Sequence, residues 1–308
     1  MIAAWLVERV IRMPAFKGRF RLIKLLLRLA DGQTITSRYG VRMRVRAADF
    51  TNQAAIAGTF PRDYDDVYAE MVALEPGMAF IDVGANQGLF TLVAGQRVGP
   101  QGVVLAFEPD LTNFQYLVRN ILENHLTNVF PVNGAISEKS GVENFQPAPE
   151  THSGIGRIAP DGPTQIMVMN FADNMALFSE LLGDRRLIIK IDVEGHEAHV
   201  VHGLCGLLNN DRAEKLIIEV DEENLVKSGS TAAELYDTLT AAGFEARRGR
   251  GAASHFNEVF LRVRSTESAA SPIDIAAGSR SRPGVFELAQ HHESASGGPG
   301  VRKQTGPH

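Results

Sequence analysis

Cysteine occurs once in the 308 residues, at Cys205, so no disulfide can form within the chain. It lies in an apolar helical stretch, where a small buried hydrophobe is the expectation. No Cys/His cluster has the spacing of a zinc site. No apolar run approaches the ~20 residues needed to cross a bilayer, because Lys and Arg interrupt each one early. Residues 1–12 lack the long uncharged core and cleavage site of a secretory signal, which makes a cytoplasmic location the expectation. Neither sign of charge dominates. The net charge of −5 and 44 % apolar content describe an ordinary globular protein, with no DNA partner expected. Internal repeats are absent.

Three regions differ in character. Residues 1–30 carry seven Lys/Arg against one acid, Glu8. After Pro14, residues 16–30 have helical periodicity, with Lys17, Arg21, Lys24 and Arg28 on one face and Phe16, Phe20, Ile23, Leu26 and Leu27 on the other. Such a helix packs on its own domain or a homodimer partner, or lies peripherally on an anionic membrane. Residues 34–46 alternate around Tyr39-Gly40 as a hairpin. We therefore expect residues 1–48 to form a helix and hairpin, residues 49–264 a larger domain, and residues 265–308, rich in Ser, Ala, Gly and Pro, a disordered tail.

Within the larger domain, strands and helices alternate. Strands are expected at 79–83, 103–107, 128–132, 187–191, 215–220, 244–247 and 258–263, with helices near 90–97, 113–124, 197–208 and 232–242. The last two strands have no room for a helix between them and should pair antiparallel. The result is an α/β fold, a Rossmann-like, seven-stranded, mostly parallel sheet with an antiparallel last strand. Residues 137–186 interrupt the pattern with several prolines and glycines, as a functional lid or disordered insertion would.

The densest signal is FIDVGANQGLFT, residues 80–91. An apolar strand ends in Asp82, turns through Gly84, Asn86 and Gly88, and opens a helix. The spacing is D-x-G-x-x-x-G rather than the G-x-G-x-x-G of a dinucleotide site, and Asp82 sits where a pyrophosphate would be repelled. S-adenosylmethionine (SAM) has no phosphate. Its sulfonium, ammonium and carboxylate suit an acid beside free backbone amides. The next strand delivers Glu108 in FEPD, about 20 residues on, where a ribose-hydroxyl acceptor is expected. LIIKIDVEGHE, residues 187–197, then brings Lys190, Asp192, Glu194, His196 and Glu197 to the same rim, and LIIEV brings Glu219. Lys190 and Asp192 could simply neutralise each other, and Glu197 could merely favour a helix dipole.

FIDVGANQG, the FEP tip, NGAIS at 133–137 and KIDVEGHE together resemble the FkbM family of SAM-dependent methyltransferases, over about residues 49–264. The resemblance implies the SAM-methyltransferase fold and O-methylation of a hydroxyl on a sugar, glycan or natural product, a small-molecule or carbohydrate acceptor. By position it implies that Asp82, Gly84, Asn86 and Gly88 line the methionine moiety. It implies Glu108 at the ribose, Asn133–Ala135 bordering the adenine, and Asp192 and Glu194 at the transfer site. The family's leucine-aspartate pair before the fourth strand is replaced by NFADNM, with Asp173 standing in for the acid.

Methyl transfer to a hydroxyl needs alignment and a general base. Asp192, Glu194, His196 and Glu219 are the catalytic candidates, with His152 and His255 further bases and Arg157 a grip on a polar or anionic acceptor. Mg²⁺ held by Asp192, Glu219 and Asp221 is the less favoured chemistry. Two other functions compete: an RNA or protein methyltransferase, and a non-catalytic SAM-fold scaffold at a membrane surface. The D/N-P-P-Y/F strand end typical of base amine methylation is missing, since the chain has no Pro-Pro dipeptide.

Overall fold

In a computed structural model that describes residues 2–60, 62–250 and 255–263, the three strands Ala79–Val83 (β1), Val103–Phe107 (β2) and Leu187–Ile191 (β4) are buried along their whole length. Their sequences, AFIDV, VVLAF and LIIKI, are near-continuous apolar runs because both faces of a parallel sheet are covered by helices. They pair with Val129–Val132 (β3), Ala213–Asp221 (β5), Phe244–Ala246 (β6) and His255–Arg262 (β7) in the order β6-β7-β5-β4-β1-β2-β3. All neighbours are parallel except β5–β7 and β6–β7, which are antiparallel as the missing crossover requires. This is the expected Rossmann-like, mostly parallel sheet with an antiparallel last strand.

Alternate residues of each strand feed two apolar layers. Phe80, Val104, Ile188 and Ile217 face one, Ile81, Leu105, Ile189 and Ile218 the other. The first layer also takes Val7 and Ile11 from helix Ile2–Arg12 and Ile23 and Leu27 from helix Arg19–Leu29. Phe16 and Phe20, expected on that inward face, are instead exposed. The second layer is covered by helices Met175–Leu182, Glu197–Gly203, Cys205–Leu208 and Ala232–Ala241. Cys205 is exposed rather than buried, because Leu204, Leu207 and Leu208 take the inward positions there.

Helix starts carry the caps their sequences supply. Asp110 accepts from the amides of Thr112 and Asn113 at helix Leu111–Glu123, and Thr231 with Glu234 forms a capping box. Residues 34–36 and 42–44 pair as the expected hairpin. Residues 137–186 are more regular than the sequence pattern implied. Ala135–Ile136, Gly141–Gln146, Arg157–Ile158 and Thr164–Met169 form a separate four-stranded sheet. Among the described residues, no helix is long and apolar enough to cross a membrane. The tail expected at 265–308 lies outside the described residues.

Candidate active site

The C-terminal ends of β1, β2, β4 and β5 open into one cleft of about 430 Å³. Its floor is the turn after β1. The amides of Gly84 and Ala85 both donate to the Phe107 carbonyl, 3.0 and 2.9 Å, tying the turn to the end of β2. Gly84 has φ +83, and a Cβ there would stand 1.9 Å from the Asp192 carbonyl oxygen. The end of β4 therefore crosses the turn at a distance only glycine permits. Asn86 also has positive φ, at 51°, which a short polar side chain tolerates. That geometry aims its amide at Glu108 Oε2, 2.7 Å away.

Glu108 is one of the cleft's buried acids. It accepts from the amides of Asn86 and Asp110, the latter at 2.9 Å. Burial pushes its carboxyl up to about 8, opposed by those two amides. Each oxygen keeps a lone pair for a further donor, which a ribose diol supplies. Apolar walls from Phe107, Ala135, Ile136 and Val200 complete this end. The chain's residues thus fit SAM: a buried diol acceptor, a glycine turn open to close approach, and apolar surface for a base.

Asp192, Glu194 and Glu219 meet across the cleft. One carboxylate oxygen of each lies within 4.8 Å of the others, the one such group close enough to hold a metal ion among the described residues. The trio differs from the set expected for Mg²⁺. Asp221 instead caps helix Glu222–Lys227 through the Asn224 amide, 3.1 Å, and Glu194 takes its place. Asp192 Oδ2 is 3.0 Å from Lys190 Nζ, and Glu219 Oε1 is 3.0 Å from His255 Nε2. Burial first, and then the neighbouring carboxylates, push the proton affinities of Glu194 and Glu219 up. Glu194 sits at φ 57 in a turn whose Val193 and Gly195 amides both donate to Glu197. Glu197 therefore shapes the loop. His196 lines the cleft with Nε2 3.0 Å from Ser137 Oγ. Burial, reinforced by His199, lowers its pKa to about 4 and leaves it neutral near pH 7.

Not every expected site residue reaches the cleft. Gly84, Asn86, Glu108, Ala135, Asp192, Glu194, His196 and Glu219 line it, as do His152, Arg157 and His255. Asp82, Gly88 and Asn133 do not. Asp82 is the strand-register partner of Lys190 and points at it across the sheet face, its Oδ1 3.8 Å from Nζ. Its other oxygen accepts from Thr91 Oγ1, 2.6 Å. Burial raises its proton affinity despite Lys190. Asp82 thus supports the floor from beneath and does not line the cleft. Asn133 donates to the carbonyls of Glu108 and Pro109 and buttresses the acid's loop. Gly88 begins helix Leu89–Val98 with φ 94, where a Cβ would strike Leu117. Asp173 is exposed and bonded to Ser140, away from the cleft.

The polar network that holds the cleft's roof was not legible in the sequence. Residues 152–156 of the insertion lie over the glycine turn, held by a buried polar network. Asp49 accepts from the Ser153 amide, 3.0 Å, and from Gln87 Nε2, 2.5 Å. Gln87 Oε1 accepts from Asn52, 2.6 Å. Asn86 and Asn113 both donate to the Ser153 carbonyl at 3.0 Å. The polar stretch at 49–52 was the available signal, but its partners are separated by a hundred residues. An aromatic wall of Phe60, Tyr64 and Phe90 closes one side.

A family model described as the methyltransferase FkbM domain matches residues 82–246, more than half of the chain. The chain belongs to the FkbM methyltransferase family. The matched segment is the family's methyltransferase domain. A curated relative, the hexuronic acid methyltransferase AglP of Haloferax volcanii, is 28% identical over 129 residues, covering 42% of this chain and 51% of its own. The antimetabolite synthetase AmbE of Pseudomonas aeruginosa is 26% identical over 222 residues, 59% of this chain and 10% of the relative. The chain thus matches about half of one relative's length and a tenth of the other's. Among solved structures, the FkbM methyltransferase of Methylobacillus flagellatus is similar with a TM-score of 0.41 at 13% identity, covering 83% of this chain and 57% of that one.

Proposed function

We propose that this FkbM methyltransferase moves the methyl group of SAM to a hydroxyl oxygen of a carbohydrate, with a hexuronic acid residue as the first acceptor class to test. The observation that carries this is the convergence of Asp192, Glu194 and Glu219 within 4.8 Å, in the cleft that also holds Glu108. A hydroxyl must lose its proton as it takes the methyl, and a buried carboxylate of raised proton affinity is suited to receive it. The hexuronic acid methyltransferase among the relatives supports a sugar acceptor.

When bound, SAM supplies a methyl carbon whose bond to sulfur breaks, the electron pair leaving with sulfur as the acceptor oxygen bonds to carbon. Glu108 would hold the ribose diol, and the Gly84–Asn86 backbone would border the methionine end. Ala135 and Ile136 wall the base. Glu219 takes the hydroxyl proton, oriented by His255, and passes it to solvent through that half-exposed ring. Asp192, fixed by Lys190, and neutral His196 orient the acceptor. Alignment of oxygen with the methyl–sulfur axis supplies the larger part of the acceleration, on the order of 7–11 kcal/mol.

Two measurements test this. Calorimetric titration with SAM should show binding that weakens by about 1–3 kcal/mol in Glu108→Ala, the loss of a buried hydrogen-bond partner. Transfer of a tritiated methyl to glucuronate- or galacturonate-containing oligosaccharides should yield a base-stable methyl ether. A base-labile product would mean esterification of the carboxylate, and transfer to neither sugar would remove the uronic acid acceptor.

A further inference from the structure

The outer surface of the two N-terminal helices is apolar as well as basic, which their packing on the domain does not require. Val7, Ile11, Ile23 and Leu27 already face the core. The opposite side of a domain-packed helix ordinarily carries polar residues. Here Leu22, Leu25 and Leu29, at steps of three and four, form one exposed stripe, with Leu25 and Leu29 54% and 64% accessible. Arg21, Lys24 and Arg28 form the stripe beside it, with Arg21 and Arg28 exposed and Lys24 half-buried. On the first helix, Ile2, Trp5, Arg9 and Arg12 share an exposed line, the Arg9 guanidinium 4.9 Å over the Trp5 ring. Eight of the nineteen large apolar side chains exposed among the described residues fall within residues 1–30.

Charge selects the occupant. The one acid of this segment, Glu8, is committed to the Thr36 amide at 2.6 Å, so the outer face is cationic while the chain as a whole carries −5. A second copy would set this cationic face against itself in a two-fold dimer. An anionic lipid surface satisfies both parts at once: phosphates for the Arg and Lys heads, the headgroup–acyl boundary for leucine and tryptophan. We propose that residues 1–30 dock the enzyme on an anionic bilayer. The docked face adjoins the cleft, since Lys24 Nζ lies 5.9 Å over the ring of Phe50, a cleft-lining residue.

Trp5 is the only tryptophan, so the full-length protein reports on this face without a label. Vesicles of mixed phosphatidylcholine and phosphatidylglycerol should blue-shift its emission and co-sediment the protein, and pure phosphatidylcholine should do neither. Leu25→Asp with Leu29→Asp, and separately Arg12→Glu with Arg21→Glu and Arg28→Glu, should each weaken partition by about tenfold or more, as should raised salt. Unchanged circular dichroism and SAM titration would show that the variants are folded, and keep the result separate from the proposed methylation. The proposal fails if the folded wild type neither shifts nor sediments with the anionic vesicles, or if binding survives both variants. A concentration-dependent dimer that Leu25→Asp dissolves, without vesicle binding, would assign the face to a second copy instead.

Discussion

Two side chains set the chemistry of the cleft in opposite ways. Glu219 is nearly inaccessible, and burial followed by repulsion from Asp192 raises its pKa to about 8. A base must be deprotonated to act, so kcat/KM should climb with pH through that value and level off above it. In Glu219→Gln that limb should vanish and kcat should fall by ~10²–10⁴; a variant retaining the wild-type profile would assign the base elsewhere. Lys190, 2 % exposed, serves the other need. Burial alone would discharge it, but Asp192 and Asp82 more than offset this and keep its pKa up. Asp192 is the closer partner, at 3.0 Å against 3.8 Å. Lys190→Met would leave two carboxylates without their cation and should cost about 3–5 kcal/mol in denaturant unfolding.

The crossing of the β1 turn by the end of β4 is the tightest contact between two elements at the site. Gly84→Ala would have to move the Asp192 carbonyl from a Cβ placed 1.9 Å away, at a φ that side chains avoid. We expect a loss on the order of 3 kcal/mol in urea titrations, together with loss of SAM binding. These elements were legible in the sequence because their physics is local. β1, β2 and β4 are covered on both faces, so they read as apolar runs broken only by the paired Asp82 and Lys190. β7 begins three residues earlier than the apolar pattern implied, since His255 and Asn257 pair with Asp221 and Glu219. The separate sheet was illegible for the opposite reason. Its strands are short and largely exposed, and Ala135–Ile136 pairs with residues 168–169, a register that no local pattern encodes. That Asp82 turns to Lys190 rather than into the cleft was not legible, because their pairing across the sheet is not local.

Across the whole molecule, buried acids make stability depend on pH. Glu108, Glu194, Glu197 and Glu219 carry pKa values raised to about 8, 9, 7 and 8, chiefly by burial. Each is near the ordinary carboxylate value in an unfolded chain, so above that value the folded state holds more protons and stability falls as pH rises. His196, lowered from 6.5 to about 4, works in the opposite direction but only below pH 6.5. The Tm of the ligand-free protein should therefore decline from pH 6.5 to 9, and less steeply in Glu108→Gln; a flat profile in differential scanning calorimetry would contradict the burial. One feature ties the two ends of the cleft together. Asn86 gives its amide to Glu108 and its side chain to the carbonyl of Ser153, so donor floor and insertion roof meet at one residue. Anyone who grafts a different insertion onto this scaffold to change the acceptor is also editing the cofactor's seat, unless that one carbonyl is put back where Asn86 can find it.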